Sequence, residues 1–290
     1  LGSTTSDPWS NEWNTKTAQT IDSVIGVNNY DIGHNFNTTG GGNAGCIGCV
    51  CQSVSQSGTH KGRGFTGRSN PTGDAFDIDF VAHEIGHQFG ANHTFSFSDE
   101  GAGVNKEVGS GVTVMGYAGI TPYDTHLHSI DVFHSASIAQ VQANMATKSC
   151  QTTVAISHSA PVVNAGADWT IPRSTPFMLT GSATDAGGAG AITYTWEQND
   201  NVAGNINAAS AASATKASGP NWVNYQDSAS PIRYFPTMSS ILAGSTTTAG
   251  LDVTAEALSS VNRTLNFRLT DRDNILGRGH SSVENLVVTG

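Results

Sequence analysis

The apolar positions of the chain follow two periods. In the first half, apolar or small residues at Trp13, Thr17, Ile21 and Ile25 share one helical face that Gly26 closes. A second helix is predicted over Asp77 to Phe89. A third is predicted over Ser137 to Met145, with Ile138, Val141 and Met145 on one face that Gln142 interrupts. Ser137 with Gln140 reads as its capping box. Gln151 to Ala160 has no period and leads into Pro161, as a linker does. From Pro161 the texture changes to short strand signals: Val162-Val163, Trp169 to Ile171, Phe177 to Leu179, Ile192 to Trp196, Leu265 to Leu269 and Val283 to Val288. Gly, Pro, Asp and Ser separate them, the pattern of an all-β sandwich. Gln198 to Ala243 is too long for one hairpin and predicts an insertion. Its Ala/Ser-rich part, Ala203 to Ser218, is low in complexity and expected to be mobile.

Composition narrows the function classes. The length of 290 residues suits two domains. Charged residues make up 12%, about half the usual share, and 23 acidic against 13 basic residues leave a net charge of −10. That is too little to force disorder. With no basic stripe to neutralise phosphates, nucleic acid is not an expected partner. No apolar run is long enough for a transmembrane segment. The start at Leu1, without Met or signal peptide, reads as a processed or excerpted product. Ser, Thr, Asn and Gly fill the place of charge, as in a loop-rich secreted bacterial protein.

The segment that carries chemistry is His83-Glu84-Ile85-Gly86-His87-Gln88-Phe89-Gly90-Ala91-Asn92-His93. On a helix, His83 and His87 lie one turn apart and both imidazoles reach one zinc ion. Glu84 is adjacent and free to hold a water on that ion. Gly90 lets the helix end in a left-handed turn, so that the chain swings back and His93 becomes the third ligand. A structural zinc site, the competing reading, closes with four protein ligands, often cysteines. Three histidines beside a glutamate make an open, hydrolytic site.

This HExxHxxGxxH pattern resembles the metzincin metallopeptidases. The methionine turn that should follow is found at Thr113-Val114-Met115-Gly116-Tyr117. Asn29 to His34 and Asp77 to Ala82 resemble the bacterial secreted reprolysin-like (adamalysin-like) peptidases, a likeness that extends over residues 1–150. Pro161 to Asp168 and Tyr194-Thr195-Trp196 resemble the PKD/Ig-like modules that follow such peptidases. The resemblance implies an α+β metzincin-type catalytic domain over 1–152, a linker over 153–160 and an all-β Ig-like sandwich over 161–290. It implies a secreted zinc metalloendopeptidase acting on proteins or peptides. Zn2+ would be held by His83, His87 and His93, a zinc-bound water would attack the peptide bond, and Glu84 would be the general base. Met115 would form a hydrophobic floor, and Gly90 would shape the turn.

Two features depart from the snake-venom members. Thr94 stands where they have Asp, and Met115-x-Tyr117 looks like astacins and serralysins. Tyr117 is accordingly expected to donate a hydrogen bond to the oxyanion or to act as a weak fifth ligand of the metal. The resemblance implies two strands and a long helix before the first helix, and the expectation is that this chain lacks them. The expectation is a cleaved N-terminal fragment of the same precursor as partner, or a poorly active chain.

Of the four cysteines, Cys46 and Cys49 have a spacing that also suits zinc or redox chemistry, but an extracellular setting favours oxidation. The resemblance implies a Cys51–Cys150 bridge, worth about 4–5 kcal/mol in the chain-entropy model, which leaves Cys46–Cys49 as a local pair. It also implies that Ala44 to Cys51 is an edge strand pairing with substrate through Cys46, Ile47 and Gly48, approached through Gly40 to Gly42. Asp74, Asp77 and Asp79 suit a helix N-terminus, with structural Ca2+ a further possibility. His126, His128 and His134 are expected at the surface or in a pocket wall, and Asp271 and Asp273 in turns. Trp169, Trp196 and Trp222 are expected in the sandwich core rather than in a binding surface.

Overall fold

The computed structural model describes Trp9, residues 12–187 and residues 190–290. Leu1, where the expectation of a missing segment begins, lies outside the described residues. Contacts divide the chain into two compact units that do not follow chain order. One holds the residues up to Asn92 with Ala136–Thr153. The other joins His93–Ser135 to Val154–Gly290.

In the first unit, α1 (Trp13–Val24) buries Thr17 and its neighbour Ala18, while Trp13 and Ile21 of the expected face are half-buried and Ile25, at its C-terminal end, is exposed. Gly26 ends it at φ +87°. Strands β1 (His34–Asn37), β2 (Gly41–Asn43) and β3 (Gly64–Gly67) form a sheet in the order β1-β3-β2. β1 runs parallel to β3, and β2 antiparallel. The second helix begins earlier than the sequence suggests and is not uniform. A turn α2 (Asp74–Phe76) passes through a π-helical stretch, Asp77–Ala82, into α3 (His83–Phe89). The last helix, α4 (Ser135–Met145), also starts early, and all but its first residue belongs to this unit. Ser137 therefore lies inside the helix, and the expected capping box does not form. Gln140 instead accepts a hydrogen bond from the Asn92 N–H at 2.9 Å.

Both disulfides, Cys46–Cys49 and Cys51–Cys150, are present. The strand expected over Ala44 to Cys51 is not. The short Cys46–Cys49 loop, with positive φ at Gly45, Gly48 and Cys51, curls that segment into turns. Its backbone is already engaged: the Gly48 N–H donates to the His87 carbonyl at 2.8 Å, and the Gly48 carbonyl accepts from Lys148 Nζ at 2.8 Å. The edge strand lies just upstream, at β2.

The second unit is β-rich. Strands β4 (Val162–Asn164) and β7 (Ser182–Thr184) pair, as do β6 (Phe177–Thr180) with β9 (Ile232–Phe235) and β10 (Thr247–Ala249) with β11 (Thr254–Ala257). A four-stranded sheet runs β5 (Trp169–Thr170), β13 (Ser281–Thr289), β12 (Thr264–Arg272), β8 (Thr193–Gln198). Alternation along β12 buries Leu265, Phe267 and Leu269 against Trp196, Trp222 and Phe235. Trp169, expected in that core, is 58% exposed, because its two-residue strand lies at the sheet edge.

Ala203 to Ser218 is tied down, against the expectation of mobility. Lys216 is buried and its Nζ donates to the carbonyls of Ser210, Ala211 and Pro220. A buried ammonium must collect acceptors, and here it gathers a loop. Residues 93–135 belong to the same unit through a second apolar cluster of Val108, Ala212, Val223, Ala255 and Ala257. Ser135 N–H donates to the Glu197 carboxylate, and Arg272 to the Phe133 carbonyl. Among the described residues, no helix is long and apolar enough to cross a membrane.

Candidate active site

Helix α3 places His83 and His87 one turn apart, with ring centroids 4.7 Å apart and planes at 88°. Gly90 ends it at φ +116°, where a side chain would be strained and a Cβ would lie 2.8 Å from Asn144 Cβ. The N–H groups of Gly90 and Ala91 both close on the Gly86 carbonyl at 3.0 Å, which reverses the chain. One nitrogen from each of His83, His87 and His93 then lies within 4.8 Å of the other two.

Hydrogen bonds orient two of these rings. His87 Nδ1 is 2.7 Å from the Ala91 carbonyl, so it carries the proton and the lone pair is on Nε2. His93 Nδ1 is 2.9 Å from the Glu100 carboxylate, the outer partner that a ligating histidine commonly has. Three imidazoles without a thiolate fit zinc with a position left open for chemistry.

Glu84 is enclosed beside β2. A Cβ on Gly42 would come within 2.5 Å of Glu84 Oε1, so only glycine lets the strand pass so near. Burial pushes the Glu84 carboxyl up to about 7, against the lowering effect of the Ala44 N–H that donates to it.

His93 stacks on Phe95 at 4.7 Å and meets the Tyr117 ring at 4.6 Å. Met115 is fully buried, and its carbonyl accepts from the Thr94 N–H at 3.1 Å. Gly116 N–H to the Thr113 carbonyl, 2.7 Å, closes the turn. The organiser of this loop is Glu107, which the sequence did not single out. Its carboxylate is buried and accepts from the N–H groups of Val112 and Thr113 and from the hydroxyls of Thr94 and Thr113. The hydroxyl of Thr94, the residue that departs from the venom pattern, is used here. No spacing rule links Thr94, Glu107 and Thr113, so only the fold reveals them.

Among the described residues, Asp74, Asp77 and Asp79 join no metal-binding group, nor do His126, His128 and His134. His134 is fully buried, so of the two places expected for it, the surface or a pocket wall, the surface is excluded. Asp31, Cys51 and Cys150 come together, but both sulfurs are bound in the disulfide. A further group, His158, Asp273 and His280, was not foreseen as a unit.

Comparison with known proteins gives one match. The family model described as metallo-peptidase family M12B, reprolysin-like, covers residues 2–161, more than half of the chain. No curated protein and no solved structure matches.

Proposed function

The chain belongs to the reprolysin-like metallopeptidases of family M12B, and we propose that it is a secreted endopeptidase in which Glu84 is the general base. That family hydrolyses peptide bonds with zinc. The observation that carries the finer reading is the convergence of three imidazoles, with the half-buried carboxyl of Glu84 next to His83 in sequence and packed under a strand edge.

His83, His87 and His93 would hold the zinc, which supplies an acidified water and polarises the scissile carbonyl. Glu84 accepts the proton of the attacking water and delivers it to the departing amide nitrogen. The outer edge of β2 carries no partner strand among the described residues. It offers main-chain groups for an extended substrate, a role that falls to Gly41–Asn43 rather than to Cys46, Ile47 and Gly48. The Tyr117 phenol, beside His93, donates to the oxyanion. Two disulfides support an extracellular setting, and the strand-rich region from Pro161 onward is read as a PKD/Ig-like module.

The test is casein digestion by the purified chain. Cleavage should stop with a zinc chelator and return with added zinc. Glu84→Gln should lower turnover by about 10³-fold or more while zinc content stays unchanged. Wild-type turnover in that variant would refute the assignment.

A further inference from the structure

The second ligand cluster is assembled by the β-rich unit. Asp273 follows the last residue of β12, and His280 precedes the first residue of β13. The pairing of Arg272 with Ser281 sets them on adjacent rungs, and the Asp273 N–H donates to the His280 carbonyl at 3.2 Å. His158 arrives from the segment that leads into β4.

The three side chains are enclosed. Asp273 is fully buried, and the side chains of His158 and His280 are 8% and 25% exposed. One carboxylate oxygen of Asp273 is satisfied by the N–H groups of Ile275 and His280, at 3.2 and 2.9 Å. Its other oxygen, Oδ2, has no hydrogen-bond partner, and neither do His158 Nε2 and His280 Nδ1. These three atoms face one another. Oδ2 is 3.4 Å from each nitrogen, and the two rings meet edge to face with centroids 4.8 Å apart.

Buried polar atoms left without partners are expensive, and three of them at one point call for a common occupant. Direct pairing serves them poorly, since 3.4 Å lies beyond the 2.7–3.2 Å of a good N–H···O bond and leaves only long His–Asp ion pairs. A tetrahedral ion with bonds of about 2.0–2.1 Å to nitrogen and oxygen sets its ligand atoms about 3.3–3.4 Å apart. The two oxygen–nitrogen spacings have that size, and all three ligand atoms lie within 4.8 Å of one another. We propose that His158, Asp273 and His280 bind a second divalent transition-metal ion. Two imidazoles and a carboxylate suit zinc. The partly exposed His280 side leaves room for a water as the remaining ligand. Bound there, the ion fastens the chain around His158 to the β12–β13 hairpin. This site does not depend on the peptidase reading.

The test counts metal in the whole chain. After chelation, reloading with zinc chloride and gel filtration, the wild type should carry two zinc ions. The H83A/H87A variant should keep one, and adding His280→Gln to it should remove that one. The zinc-dependent rise in melting temperature of H83A/H87A should disappear with it. A wild type with one zinc ion, and none in H83A/H87A, would overturn the proposal. If His280→Gln fails to fold, cobalt(II) added to H83A/H87A decides the matter without it. The visible absorption of a four-coordinate site is expected, and its absence overturns the proposal. Casein cleavage plays no part in either readout, so failure of the active-site assignment would be seen separately.

Discussion

The molecule holds two triads of ligating side chains that are built in opposite ways. His83, His87 and His93 come from eleven consecutive residues, through one helical turn and one left-handed glycine. His158, Asp273 and His280 come from a connecting segment and the two ends of a hairpin. The first is a property of local backbone geometry, so a string of letters displays it. The second exists only after strand register is established. The difference also separates their consequences, since the local triad is followed in sequence by a half-buried carboxyl under a strand edge, whereas the distant one is enclosed by its own loops.

The sharpest way to break the comparison is to disable each triad and assay peptide cleavage. His87→Ala should abolish casein turnover, by about 10³-fold or more. His280→Gln should leave it within about twofold. A large loss in the second variant would make both triads catalytic.

Next in size is Gly90→Ala. The left-handed φ and the nearby Asn144 side chain should together lower unfolding free energy by about 2–3 kcal/mol, with weakened zinc binding, measurable by denaturant titration and metal competition. Equal zinc affinity would mean that the turn does not position His93. Lys216→Met removes the donor from three buried carbonyls and should cost about 2 kcal/mol, with cleavage per folded molecule unchanged. The smallest effect is expected from Tyr117→Phe. A roughly tenfold lower kcat at constant KM corresponds to about 1.4 kcal/mol of transition-state stabilisation. Unchanged turnover would reduce Tyr117 to a packing residue beside His93.

What was legible in the chain follows the same line. The helix at Trp13, the ending at Gly90 and the strand at Leu265 to Leu269 announce themselves through periodicity and glycine, which act within a few residues. The misreadings arise where tertiary partners intervene. Ser137 and Gln140 have the spacing of a cap, yet the helix starts at Ser135 and Gln140 is engaged by Asn92. Ala44 to Cys51 has strand-like residues, but a disulfide across three positions bends it. Ala203 to Ser218 looks featureless because its one organising residue, Lys216, reads as solvent-facing charge. The π-helical stretch before His83 and the carboxylate hub of Glu107 have no signature in residue type at all.

The grouping of His93–Ser135 with Val154–Gly290 bears on the order of events at the ribosome. His93, Met115 and Tyr117 emerge early, but the apolar partners of their loop, Val223, Ala255 and Ala257, are made much later. Arg272, which holds the Phe133 carbonyl, sits on β12, an interior strand whose neighbour β13 comes later still. A nascent chain therefore carries the HExxH helix, and the Glu107 hub of the loop that follows it, long before the apolar partners of that loop are made. The packing of that loop is completed only once the β-rich unit has been synthesised, an order written into the wiring of the fold.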